Sequence, residues 1–398
     1  MPWKDYEVTE ERWRFIEDWN SEDFSMTELC EHYEVTRKTG YKWLRRYQAA
    51  GLEGLRDASR EPHRHPNQVS GEMEERVLAL RERHPRWGAP KIRGRLLLDH
   101  RDQTIPAAST IGGILKRNGL TVALRRRQRS RGGEQPLAEA DGPNSIWCTD
   151  FKGWFRTQDG ARIDALTISD QYSRYLFRCQ ALAAADYLHS KVVLEAVFRE
   201  YGLPQRLRTD NGAPFGSNGE SGLTGLTVWW IKLGIVPEHI QAGKPQQNGR
   251  HERMHRTLQQ ETASPPAANR RAQQARFDLF RQEYNEQRPH QALGQRPPAQ
   301  VYQPSTRVYP TRLSEVAYPA GWTLRRIAAG GEMKWAGQKV FVAHPLQGET
   351  VGLEQIDDRY WRVWFSFHQI GVLDTVKVQI RRPRPGGKKP EDGGSGPA

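Results

Sequence analysis

Ile146-Trp-Cys-Thr-Asp-Phe-Lys-Gly-Trp154 marks a change of pattern in this chain. Apolar and aromatic residues surround a single acid, Asp150, and the run reads as a β-strand. Two further runs, Ile163 to Ser169 and Tyr175 to Gln180, read the same way. A helix from Asp186 to Tyr201 follows, with Leu188, Val192, Leu194 and Val197 as its apolar positions and Gly202 closing it. Arg206 to Thr209 is a short fourth strand, Gly222 to Gly234 a helix and Ile235 to Ile240 a fifth strand. Helices over Gln247 to Thr262 and Arg270 to Arg288 complete the unit. Three consecutive strands followed by alternating helices and strands predict an α/β fold, a mixed five-stranded sheet with helices on its faces.

The segment before it is helical and basic. Ser25-Met-Thr-Glu28 has the pattern of a capping box, Glu34-Val35 makes a turn, and Thr36 caps a second helix. That helix carries Arg37, Lys38, Lys42, Arg45 and Arg46, takes Tyr41, Leu44 and Tyr47 as its inward face, and is stopped by Gly51. Two short helices, a tight turn and a cationic second helix make a helix-turn-helix, with a solvated basic helix as the bland alternative. Residues 71–121 read as a second helix-turn-helix or winged-helix unit. Its third helix is capped by Ser109 and ended by Gly119, and packing is as good a role for it as base reading. Residues 122–143 are a linker opening on Arg125, Arg126 and Arg127, suited to phosphates or simply to solvent.

After a proline-rich stretch, short alternating runs with Gly punctuation predict a small C-terminal β-barrel. The expected organisation is therefore multidomain. It has all-α helix-turn-helix units over 1–70 and 71–121, the linker, an α/β core over 144–304, a β domain over 305–382 and a disordered tail over 383–398.

A formal net charge of +13 favours a polyanionic partner, because each neutralised phosphate releases counterions. No apolar run is long enough to span a bilayer and the N-terminus lacks a signal-peptide core, so a cytoplasmic, nucleoid-associated protein without membrane partners is expected. Cys30, Cys148 and Cys179 make no disulfide framework or zinc knuckle and read as small buried residues. His63 and His65 offer a weak zinc alternative.

Three acids stand at places where chemistry concentrates. Asp150 lies in the first strand. Asp210 lies in Arg208-Thr-Asp-Asn-Gly-Ala-Pro-Phe215, where Asn-Gly turns the chain at the end of the fourth. Glu252 lies on a helix whose polar face also holds Asn248, His255, Arg256 and Gln259, while Met254 and Leu258 point to the core. Adjacent strand ends bring the two aspartates together, and the helix presents Glu252 to them. Asp164 and Asp170 read as structural, and Trp229 and Trp230 as core.

WCTDFKGWF, RTDNGAPF, KPQQNGRHERMHRTL and YNEQRPHQALGQRPPAQVY together resemble the integrase core of the retroviral-integrase and insertion-sequence transposase superfamily. VTRKTGYKWLRRYQAAGLEGLRDASR resembles the helix-turn-helix of bacterial insertion-sequence transposases. The resemblance implies a ribonuclease H-like fold and an Asp-Asp-Glu metal site, here Asp150, Asp210 and Glu252. The interval from Asp210 to Glu252 is longer than in many members, with the surplus assigned to the Gly-rich loop Gly216 to Gly225. Glu220, Glu238 and Glu261 are the competing glutamates, and the N-terminal zinc module of retroviral integrases is not visible.

Hard carboxylate oxygens favour Mg²⁺ or Mn²⁺, and a two-ion site suits in-line displacement at phosphorus. The expected function is strand cleavage and strand transfer in transposition, by a homo-oligomer on element terminal repeats and target DNA. Lys244, Arg250, Arg253 and Arg256 are candidate DNA contacts or plain solvated charges. Asn211 and Asn248 are supporting residues or turn formers. Rival readings are a catalytically inactive DNA-binding regulator, or a domesticated remnant, and a nuclease acting on RNA in hybrids.

Overall fold

The computed structural model describes residues 8–57, 68–121, 137–217, 221–240 and 249–381. Contacts divide the chain into two compact units, residues 1–70 and 71–398.

The first unit holds α1 (Val8–Asn20), α2 (Met26–His32) and α3 (Arg37–Gly54). Ser25 caps α2 with Glu28 reaching back, and Thr36 caps α3, both as the sequence predicts. Phe15, Ile16, Met26, Leu29, Cys30, Trp43 and Leu44 form its core. The helices meet closely at Gly40, where an added Cβ would lie 2.9 Å from Cys30 Sγ, Met26 Sδ and Phe15 Cζ, so a side chain there would displace those three core side chains. Tyr41 is 40% exposed, contrary to expectation; the inward face turns through Gly40, Trp43 and Leu44, because Trp43 is the larger apolar body. Gly51, at φ 60, is non-helical and interrupts α3 as expected, and a short further helical stretch runs on to Gly54.

The second unit begins with α4 (Gly71–Arg83), α5 (Ala89–Asp99) and α6 (Ala108–Arg117). Val77, Ile92, Leu96, Ile111 and Ile114 are buried there. Ala107, not Ser109, stands at the N-cap of α6, so this helix starts without a side-chain cap. His84 stacks on Trp87 with centroids 3.8 Å apart and pairs with Glu283, tying the helices to the sheet domain. Described chain resumes at residue 137, where the end of the expected linker already packs: Arg208 donates to Ala138 O at 2.6 Å.

The central sheet is built from β1 (Ile146–Arg156), β2 (Arg162–Asp170), β3 (Leu176–Leu182), β4 (Arg206–Thr209) and β5 (Val236–His239). Its order is β3-β2-β1-β4-β5. β1, β2 and β3 pair antiparallel, and β4 and β5 add in parallel. α7 (Tyr187–Tyr201) and α8 (Gly225–Lys232) cover one face through Leu194, Val197, Phe198, Leu226, Trp229 and Trp230 against Trp147, Leu166, Ile168 and Phe177. α9 (Gly249–Thr262) and α10 (Arg270–Glu286) cover the other through Met254, Leu258, Phe277 and Phe280 against Ile163, Ala165 and Cys179. Asp186 caps α7, but Leu188 and Val192 are 70% and 69% exposed. The buried stripe is Val193, Leu194, Val197 and Phe198, because that bulkier stripe wins the sheet.

The three cysteines are buried and free, with burial pushing the Cys148 thiol up to about 12. Asp164 pairs with Arg162, and Asp170 accepts from Asn144 N and Ser173, both structural roles.

The C-terminal region is not a barrel. β6 (Thr323–Arg326), β9 (Thr350–Gln355), β10 (Tyr360–Phe365), β11 (His368–Asp374) and β12 (Gln379–Arg381) form an open antiparallel sheet ordered β12-β11-β10-β9-β6. β7 (Glu332–Trp335) and β8 (Gln338–Phe341) pair only with each other. The hairpin is not hydrogen-bonded into that sheet, so strand pairing closes no ring, but its Met333 and Val340 join the same core. Within it, Asp374 has a fully buried side chain, is bound twice by Arg359 at 2.9 Å and is reached by Arg381 at 2.8 Å. Arg359 holds its carboxyl well below the usual carboxylate range. A depressed folded-state pKa gives stability that is present above the unfolded value, about 4, and lost as pH falls through the folded one. Fluorescence of Trp361 and Trp364 is therefore expected to report loosening of this sheet as pH falls below about 4. Asp374→Asn should remove that pH dependence and be destabilised at pH 7; an unchanged profile would refute the role given to Asp374.

Candidate active site

Asp150 stands opposite Thr167 on the antiparallel β1–β2 ladder, on the face covered by α9. The parallel β1–β4 ladder pairs Cys148 with Arg208, so two residues further along each chain segment come Asp150, in the middle of β1, and Asp210, just past the end of β4. Asp210 accepts from Gly212 N at 3.2 Å, and its carbonyl lies 3.1 Å from His239 Nδ1. Glu252 is exposed in the first turn of α9. The charges of Asp210 and Glu252 both act on Asp150. Burial, then those two charges, push its carboxyl up to about 7.

Beside Asp150 lies a pair of imidazoles that the sequence did not single out. His251 and His255 are one turn apart on α9, and both are buried. The sequence placed His255 on the polar face with Glu252; the structure turns it to the sheet, because β2 offers hydroxyls there. Thr167 Oγ1 lies 2.7 Å from His251 Nε2 and 2.6 Å from His255 Nε2, and Ser169 Oγ lies 3.1 Å from His251 Nδ1. Burial takes His251 down to about 3 and His255 well below its ordinary value, so both are neutral. Thr167 has one proton, which it donates to the Asp150 carbonyl at 3.2 Å. Both imidazoles then donate through Nε2–H, and His255 Nδ1 is left a bare acceptor 4.0 Å from Asp150 Oδ2. Two acceptors facing at that distance suit a cation between or beside them. Among the described residues, ligand atoms of Asp150, His251 and His255 lie within 4.8 Å of one another. The donor set of Asp150, Asp210 and Glu252, three hard carboxylates, fits a hard divalent ion.

The supporting residues fall differently. Asn211 donates to Ile240 O at 2.6 Å and ties the loop after β4 to the end of β5. Glu238 pairs with Arg208 at 2.5 Å and Glu261 with Arg288 at 3.0 Å, so both competing glutamates are engaged elsewhere. Arg250, Arg253 and Arg256 lie on α9, and all three are exposed. On α3, Arg37, Lys38, Lys42 and Arg45 are exposed, whereas Arg46 is half-buried and donates to Arg56 O at 2.6 Å. Lys244, Asn248, Glu220, His63, His65, Arg125, Arg126 and Arg127 lie outside the described residues, as does the expected tail.

A family model described as an integrase core domain matches residues 140–245, and a second of that description matches residues 233–298. The chain carries an integrase core. A helix-turn-helix domain model matches residues 11–63 and a homeodomain-like domain model residues 39–115. Over 241 residues the chain is 29% identical to an uncharacterized 31.7 kDa protein of insertion element IS407 from Burkholderia multivorans, covering 59% of this chain and 81% of that protein. Over 277 residues it is 29% identical to an uncharacterized 39.2 kDa protein of insertion element IS476 from Xanthomonas euvesicatoria, covering 67% and 75%. Similar solved structures include the HTLV-2 integrase catalytic core in complex with magnesium, with 14% identity, TM-score 0.30, and 42% of this chain and 100% of that one covered. The BIV integrase catalytic core shows 18% identity and TM-score 0.31, covering 40% and 93%. This integrase-core chain is thus related to insertion-element proteins and carries helix-turn-helix DNA-binding domains ahead of its core. Among the described residues, no helix is long and apolar enough to cross a membrane.

Proposed function

We propose that the chain is the transposase of an insertion element, cutting and joining DNA strands with Asp150, Asp210 and Glu252 as its catalytic carboxylates. The observation that carries this reading is the electrostatic convergence on Asp150, whose carboxyl is pushed up to about 7 by burial and by Asp210 and Glu252. Those three residues would hold Mg²⁺ or Mn²⁺, as one or two ions. Such ions, when bound, polarise the attacking oxygen and stabilise the leaving one. Thr167 donates to the Asp150 carbonyl and is itself held by the neutral His251–His255 pair, which fixes the backbone of Asp150. The exposed cations of α3 would hold the element ends, with a homo-oligomer bringing two ends together in the nucleoid.

The test is incubation of the protein with its own element's ends and Mg²⁺, followed by mapping of nicks and joints. Joints made by a DNA 3′-hydroxyl are expected. Hydrolysis without joining would mark a nuclease, and DNA binding without metal-dependent cleavage would mark a regulator.

A further inference from the structure

A cleft of about 550 Å³ lies on another flank of α9. At about 100° per residue, Arg250, Arg253 and Thr257 cluster on one side of the helix, and Glu252, His255 and Gln259 on the other. The cleft is lined by Lys91, Arg174, Arg250, Arg253, Arg256 and Arg288, and by no acidic residue. These cations come from α5, from the β2–β3 turn, from α9 and from the segment after α10. Among the described residues, Glu261 pairs with Arg288, and no carboxylate lies within ion-pair distance of the other five.

The cations crowd one another. Arg174, at φ 65 in the β2–β3 turn, lines the cleft, and burial and then the charge of Arg250 hold its guanidinium below its ordinary range. Lys91 is taken down to about 8, by burial and by the charge of Arg288. His290, at the same cleft, is held neutral by burial, Lys91, Arg288 and Arg174, because one more positive charge is disfavoured there.

We infer that this cleft seats a backbone phosphodiester of DNA, clamped between the second helical unit and α9 on the flank away from Glu252. The inference rests on the nucleic-acid part of the function proposed above, and on none of its catalytic carboxylates. Arginine forks match phosphate oxygens, and convergent cations exceed what a single peptide carboxylate would need. Because Lys91 and α9 belong to different segments, a strand seated here would be held by both the helical unit and the integrase core.

The test uses the full chain and a mixed-sequence DNA duplex in EDTA, so that strand chemistry is not read. Arg174→Gly relieves its own backbone conformation and is expected to fold. Its slope of log affinity against log salt should be shallower than that of the unaltered protein by about 0.9, one phosphate's worth. Adding Lys91→Gln should change the slope by less than a further full contact if both hold the same phosphate. Slopes equal to that of an Arg199→Gln control on α7 would overturn the inference. In the unaltered protein, acylation of Lys91 at pH 8 should be blocked by the duplex. Blocking by poly-glutamate but not by DNA would overturn it too, in favour of an acidic protein partner. Loss of strand transfer with these slopes intact would strike the catalytic proposal alone.

Discussion

Asp150→Asn is expected to abolish strand joining while leaving a protein at least as stable as the original in the absence of divalent ions. The substitution keeps the shape of the side chain and the backbone contact with Thr167, so β1 and β2 should pair unchanged. It removes one of the three charges on which the site depends, and joining should fall by about 10³ or more, some 4 kcal/mol of barrier. The stability arm follows from the carboxyl being pushed up to about 7. A raised folded-state pKa means that folding favours the protonated form. Stability is greatest below the unfolded value, about 4, and is lost as pH rises through about 7. At pH 8 without metal, the original protein carries that full penalty and the asparagine variant does not. Its melting temperature should then equal or exceed the original's at pH 8, with the gap closing at pH 4. Mg²⁺ should raise the melting temperature of the original and do much less for the variant. Metal-dependent joining that survives Asp150→Asn would remove Asp150 from the chemistry.

That prediction was open to a reader of the sequence; much of its setting was not. The strands and helices of the core were legible because apolar runs of period two alternate with capped helical segments, and Asn211-Gly212 marks where β4 ends. Short turns account for the pairing of β1, β2 and β3, but the place of β4 beside β1 depends on the crossover through α7, which strand pattern alone does not fix. His255 was misplaced because a helix read alone assigns imidazole to the wet face, whereas its partner Thr167 lies on a distant strand. Leu188 and Val192 were misplaced because α7 carries two apolar stripes, and only packing against Trp147 and Phe177 decides between them. Alternating residues announced the C-terminal strands, but closure into a barrel depends on edge pairing, which alternation does not encode. The cation cleft was invisible for the same reason: Lys91, Arg174 and Arg288 come from separate segments.

Replacing Ile231 should unseat the C-terminal sheet from the core. Trp229 and Trp230 of α8 face the central sheet, while Val228 and Ile231, with Leu223 before the helix, belong to the cluster of Val342, Leu346, Val351 and Phe365. Lys232 pairs with Glu349 at 2.8 Å beside it. This helix is therefore apolar on both sides because it is shared between two cores, which is why its sequence shows little amphipathic contrast. Ile231 is 1% exposed, so Ile231→Asp leaves a carboxylate in an apolar seam and should cost about 3–5 kcal/mol, roughly 10 °C in melting temperature. Val192→Asp, on the exposed side of α7, should shift stability by no more than about 0.5 kcal/mol. The decisive comparison uses a chain ending at residue 317, which bares Leu223, Val228 and Ile231. That chain should aggregate, and Ile231→Lys should improve its solubility while harming the full chain. The sign reversal arises only if α8 buries this side chain against the C-terminal sheet. Equal effects of Ile231→Lys in both chains would show that the two cores are independent.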